Sequence, residues 1–216
     1  MKNILFLVLI IAISVYATTA FHELGHAFFA YVYGCKTNPF DIYISPYIIG
    51  SNDGKYIEGC WKNLGSSKQL IIANAGMAAN LVVGLVLFLS INLTKTAKKN
   101  GFIFSILFTL SFLNFIEVFS YLTFGSFIHS SNLSFLDDMA IVESITRLNP
   151  WIFFIPSTIF FIIISYFYAQ HLKRFLKIHF LNLKSQTKIN PKTLFIAFIL
   201  MEIFLLLLIS LSKFIL

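Results

Sequence analysis

Apolar residues in this chain fall into long blocks separated by short polar intervals. The blocks lie at about residues 4–33, 70–93, 102–124, 151–169 and 193–211, and each is close to or above the roughly 20 helical residues that cross a bilayer core. The pattern predicts an all-α membrane protein, a polytopic bundle of about five transmembrane helices. The most polar long interval before the third block runs from Cys35 to Ser67. In it Ile42-Tyr43-Ile44 and Lys55-Tyr56-Ile57 flank Asn52-Asp53-Gly54, which predicts a short β-hairpin-like segment between the first and second spans. An interfacial loop anchored by Tyr43, Tyr47, Tyr56 and Trp61 is the equal alternative. No Gly/Ser- or Pro-rich linker divides the chain, so residues 1–216 read as a single integral membrane domain. Its core is about 1–148, with additional spans at about 151–169 and 193–211.

Composition excludes an ordinary soluble domain: 58% of residues are hydrophobic, 12% are charged, and Phe alone occupies 26 positions. The net charge of +7 is accounted for by residues flanking the spans beside anionic lipid, and nucleic acid is not called for. Five spans would put Lys2, Lys95, Lys98, Lys99 and the basic residues from Lys173 to Lys192 on one side. That makes ten Lys and Arg against six on the other, favouring a cytoplasmic N-terminus. Lys2, the apolar run and Ala17-Thr18-Thr19-Ala20 imitate a signal peptide. The apolar continuation through Phe28, Phe29, Tyr31 and Val32 argues instead for a retained span.

One interruption of the first block changes the picture. His22-Glu23-Leu24-Gly25-His26 places two imidazoles and a carboxylate at bilayer depth, where they are expensive unless they work. His at i and i+4 of a helix lie on one face and can share one Zn²⁺, while the adjacent Glu reaches the water that the metal activates. His22 lies 18 residues beyond Ile4, about 27 Å at 1.5 Å per residue, near the far side of a core about 30 Å thick. A catalytic zinc commonly takes three protein ligands. The third span returns to this face and leads into Asp137-Asp138, so either Asp is a candidate third ligand. The competing role of the pair is a helix N-cap ahead of Met139 to Leu148. His129, Glu117 and Glu143 are lesser alternatives.

These residues resemble a known family, the site-2 proteases (peptidase M50-like), which are intramembrane zinc metalloproteases. The resemblance rests on Phe21-His22-Glu23-Leu24-Gly25-His26-Ala27, on Asn74-Ala75-Gly76-Met77-Ala78-Ala79-Asn80, and on Leu136-Asp137-Asp138-Met139-Ala140-Ile141-Val142. The family typically has a Gly-Pro-x-x-Asn element in the second place and Leu-Asp-Gly in the third. Met77 stands where the Pro is usual, and Asp138 where the Gly is usual. Aligning the Leu-Asp pair makes Asp137 the ligand, the slightly preferred choice. Aligning the Asp that immediately precedes the helical turn makes it Asp138.

The resemblance implies hydrolysis of peptide bonds in or near membrane segments. Glu23 would be general base and acid, zinc would be held by His22, His26 and one Asp, and Asn80 would bind substrate. In the resembled family a hairpin between the first two spans is thought to pair with substrate, a form of β-augmentation. The expected partners are a membrane protein or peptide substrate, the lipid bilayer and a regulatory membrane partner, and the expected location is multi-pass in the cell membrane. A non-catalytic metal-binding or client-helix-binding membrane protein is the alternative, and it would have no use for Glu23.

Three features stay outside this scheme. Cys35 and Cys60 can form a disulfide, bind metal or remain free, with free thiols as the default. His171 and His179 fall on the opposite face and read as interfacial. Glu202, inside the last block, is an intramembrane carboxylate with no assigned role.

Overall fold

The computed structural model describes residues 2–45, 51–122, 138–149 and 151–179. Seven helices appear among these residues: α1 (Lys2–Val32), α2 (Cys60–Asn63), α3 (Ser66–Leu93), α4 (Lys95–Lys99), α5 (Gly101–Ser120), α6 (Asp138–Thr146) and α7 (Trp151–His179). Four of them, α1, α3, α5 and α7, are long and apolar enough to cross a membrane, and the protein is an integral membrane protein. The block at 193–211 lies outside the described residues, so the described bundle has four spans where five are expected.

The spans keep large apolar side chains on their outer surfaces: Leu5, Val8 and Ile13 on α1, Val82 and Val86 on α3, Ile152, Ile155 and Ile159 on α7. In water such faces would aggregate, whereas in lipid they match their solvent. Inside, α1 and α3 approach until backbone nearly touches backbone. A Cβ on Gly25 would run into the backbone oxygen of Ala75, so only glycine permits this crossing. Next to it, Asn114 of α5 donates to Thr18 Oγ1 of α1 at 3.2 Å, which fixes how α5 is set along α1.

At the opposite end, Ile91, Phe104, Phe108, Phe115, Ile164 and Tyr168 form a ring-rich core joining α3, α5 and α7. The Ser111 hydroxyl donates to Gly84 O at 2.8 Å and also meets the Tyr168 hydroxyl. Asn100 caps α5 by accepting from Phe102 N and Ile103 N. Arg174 donates to Ala97 O and Lys98 O, both at 2.8 Å, so the end of α7 lies against the turn between α3 and α5. That contact puts the Lys95–Lys99 turn and the basic end of α7 on one side, as the alternation of four spans requires.

Four expectations need correction. No strand is present among the described residues, only a single antiparallel bridge in which Tyr43 and Asn52 exchange backbone hydrogen bonds of 2.8 and 2.9 Å. The chain does bend at 52–54, where Gly54 N–H bonds the Asn52 side-chain oxygen at 3.0 Å, but 42–44 and 55–57 do not pair as strands across that bend. Gly54, at φ 77, instead lies against the Asp41 carbonyl, and buried Lys36 donates to the carbonyls of Asp41 and Asp53. Cys35 and Cys60 are not free thiols but a disulfide, because the Ile57 N–H bonded to Cys35 O at 2.8 Å brings the start of α2 beside the end of α1. His179 is buried rather than interfacial and lies 2.9 Å from Ser105 Oγ. The fourth span continues to His179 rather than stopping at Ala169, since its last turns pack against α5.

Candidate metal centre

The helical spacing of His22 and His26 puts both rings on the face of α1 that meets α3 and α5. Both are buried, and their Nε2 atoms are 3.0 Å apart. Asp138 Oδ2 lies 2.9 Å from His22 Nε2 and 3.1 Å from His26 Nε2. Among the described residues, His22, His26 and Asp138 are the group whose ligand atoms lie close enough together to hold one metal ion.

The space at this meeting point depends on α3. A Cβ on Gly76 would collide with His26 Nε2 and stand 2.7 Å from His22 Nε2. Glycine therefore leaves a gap beside the two Nε2 atoms. The tautomer of His26 follows from its other side: Nδ1 is 2.6 Å from the Ile72 carbonyl oxygen. A carbonyl only accepts, so Nδ1 carries the proton and Nε2 offers its lone pair. Two imidazole nitrogens and a carboxylate oxygen are a donor set that zinc takes readily. The gap and the donor set fit such an ion.

Asp138 opens α6, and its position is secured by packing. Met139 and Val142 of α6 pack with Ala73 and Met77 of α3. Met77, where the resembled family usually has Pro, is thus part of the contact that carries Asp138 to the histidines. Burial raises the proton affinity of the Asp138 carboxyl. Hydrogen bonds and charge from His22 and His26 outweigh this and hold it well below the ordinary carboxylate range.

Glu23, adjacent to His22, is buried and within electrostatic reach of both histidines and Asp138. Asn80 is fully buried, its Nδ2 3.4 Å from His22 Nδ1. Glu117 Oε1 is 3.8 Å from the same Nδ1, on the ring edge turned away from Asp138. From there it cannot share an ion with the Nε2 atoms. Glu143 is buried in α6 and is not part of the three-donor group. Asp137, His129 and Glu202 lie outside the described residues.

Two contributors carried little sequence signal. Tyr121, just past α5, stacks on His22 with ring centroids 4.7 Å apart, and nothing in an apolar run marks one aromatic residue for that task. The loop closed by the Cys35–Cys60 disulfide also comes within electrostatic reach of the site. The Tyr56 phenol is pushed up first by burial, then by the Asp53 carboxylate it bonds, and further by Asp138 and Glu23.

The family model for peptidase family M50 matches residues 8–208, spanning all of the features above. The chain belongs to this family. M50 peptidases are the site-2 protease family and are zinc-dependent, in keeping with the donor set around Gly76. No curated protein and no solved structure matches the chain. Membership in M50 thus rests on the family pattern, and the particular chemistry on this site.

Proposed function

We propose that this chain is an intramembrane zinc endopeptidase of the cell membrane, cutting peptide bonds in or near membrane segments. The observation that carries the reading is the convergence of His22, His26 and Asp138 on the gap left by Gly76, with Glu23 one residue from the first histidine. His22 and His26 would hold zinc through Nε2 and Asp138 through Oδ2. When bound, zinc supplies a Lewis acid that polarises the scissile carbonyl and acidifies water.

The chain's own residues do the rest. Glu23 removes a proton from the attacking water as its oxygen bonds to the carbonyl carbon. It returns that proton to the amide nitrogen as the C–N bond breaks, so the carboxylate is regenerated. Burial of Glu23 among helices keeps bulk water from competing for the proton. Asp138, at the start of α6 and outside the apolar spans, lies on the side from which water and an unwound substrate can arrive.

The alternative, a metal-binding or client-binding protein without catalysis, has no use for a buried Glu23 beside the donors. Purified protein and its Glu23→Gln variant, assayed for bound zinc and for cleavage of a reporter membrane segment, separate the two. Zinc retained with cleavage lost is the expected result. Equal processing by both proteins overturns the proposal.

A further inference from the structure

His26 has its Nδ1 proton held by the Ile72 carbonyl, which leaves Nε2 for the ion. His22 needs the same arrangement, and its Nδ1 edge faces Glu117 at 3.8 Å and Asn80 at 3.4 Å. The Asn80 amide also lies beside the Glu117 carboxylate, so amide and carboxylate form one unit beside the ring. A carboxylate on the far nitrogen of a metal-bound histidine selects the tautomer, orients the ring and raises its basicity. The helix register supports the pairing. Asn114, one turn before Glu117 on α5, bonds Thr18, one turn before His22 on α1, and Tyr121, one turn after Glu117, stacks on the His22 ring.

We infer that Glu117 is the positioning residue for His22, with Asn80 holding the Glu117 carboxylate in place. Glu117, the acceptor on this edge, would close from 3.8 Å onto the Nδ1 proton and leave Nε2 free for zinc, the counterpart of Ile72 for His26, a role that Asn80 Nδ2, which only donates, cannot fill. Asn80 is then committed to the metal centre from behind rather than to substrate. This rests on the zinc reading above, and its test reads metal affinity rather than cleavage.

The experiment is chelator competition for zinc on purified full-length protein, with the absorption spectrum of the cobalt-substituted form recorded alongside. Glu117→Ala should weaken zinc binding about 10–100-fold while the cobalt spectrum keeps its shape, since no ligand is lost. Glu117→Gln, whose amide oxygen still accepts from Nδ1, should recover most of that loss and serves if the Ala variant fails to fold. Asn80→Ala should fall between them. Undiminished zinc affinity in Glu117→Ala, or equal losses in the Ala and Gln variants, overturns the assignment. A wild-type chain that binds no zinc would overturn the function itself, which is a different result.

The disulfide bears on a separate question, the side of the membrane on which the site opens. Cys35 and Cys60 follow α1 and precede α3, on the face that carries Asp138. Disulfides persist in oxidising compartments and are rare in the cytosol. The basic residues agree. Among the described residues seven lie at the opposite face (Lys2, Lys95, Lys98, Lys99, Lys173, Arg174 and Lys177) against five at the site's face (Lys36, Lys55, Lys62, Lys68 and Arg147), and of those five Lys36 is buried and bonded to backbone carbonyls.

The geometry points to a catalytic site that opens on the non-cytoplasmic face, so that the bond it cuts lies towards that leaflet. In intact cells, a membrane-impermeant maleimide should label a Cys35→Ala variant at Cys60. The wild-type chain should stay unlabelled until a reductant is added. Labelling of the variant only after permeabilisation, or of the wild type without reductant, overturns this sidedness.

Discussion

At the end of the bundle that holds His22 and His26, helices meet through Gly25, Ala75 and Gly76. At the other end they meet through rings, with Phe104, Phe108, Phe115 and Tyr168 filling the space between α3, α5 and α7. Both ends are buried, yet they solve different problems. Lipid offers apolar side chains as good a solvent as the protein does, so association in the membrane depends on contact and on polar bonds. Large rings supply contact without demanding a unique side-chain position. The metal end needs three donor atoms brought together to within a few ångströms, and backbone-close packing on glycine achieves that by leaving side chains little freedom.

The sharpest test of this contrast separates chemistry from architecture. Glu23→Gln should lower cleavage by about 10²–10⁴-fold, the usual worth of a positioned general base, with bound zinc and thermal stability unchanged. A loss of zinc in the same variant would mean that Glu23 belongs to the donor set.

Next in size are substitutions that spoil the donors without touching the rings. Asp138→Ala should weaken zinc binding beyond the roughly 10–100-fold typical of an outer-shell loss, whereas Asp137→Ala should leave zinc content intact. Gly76→Ala should act like Asp138→Ala, since its Cβ would occupy the space beside both Nε2 atoms. Zinc content by mass spectrometry of the purified variants decides both.

The ring end should respond in the opposite sense. Phe108→Ala should lower stability in detergent by about 1–3 kcal/mol and leave zinc affinity alone. That is less than a Phe truncation costs in a water-soluble core, because lipid or detergent also solvates the ring in the unfolded spans. The smallest effect belongs to Gly84→Ala, where a Cβ would meet the Phe115 ring at 3.3 Å, a gap that a shift of a few tenths of an ångström relieves. A melting curve indistinguishable from wild type is expected. A large drop would show that the ring end is packed as tightly as the metal end.

Much of the site was legible because its strongest element is local. His22, Glu23 and His26 fall within one and a half turns of a single helix, so periodicity alone puts them on one face. The small residues around Gly76 were readable as a surface for close approach, though not as the gap beside two imidazole nitrogens. The choice between Asp137 and Asp138 was not readable. That Asp138 reaches the histidines depends on how Met139 and Val142 seat against Ala73 and Met77, which the local sequence does not show. Glu117 was visible as an intramembrane carboxylate. Its facing the back of His22 rather than the ion depends on the register of α5 against α1.

The hairpin expectation failed for a related reason. Turn-favouring residues at 52–54 do bend the chain, through Gly54 N–H on the Asn52 side chain, but the Tyr43–Asn52 bridge and the Lys36 bonds to Asp41 and Asp53 take the place of the strand pairing expected on either side. Likewise, two cysteines separated by 25 residues reveal nothing of their distance in space. That distance follows from the fold of the segment between α1 and α3.

By itself the sequence determined that the chain lives in a membrane as a set of helices and that one of them carries a His-Glu-x-x-His face. Those properties follow from composition and from spacing within one helix, where 1.5 Å per residue and 100° per residue leave no freedom. Only the tertiary structure decided that Asp138 reaches both histidines, that Gly76 leaves the gap between them and that Glu117 stands behind His22. Each joins residues far apart in the chain through the rotation and depth of one helix against another, and those are set by packing along the whole contact rather than by the residues that meet.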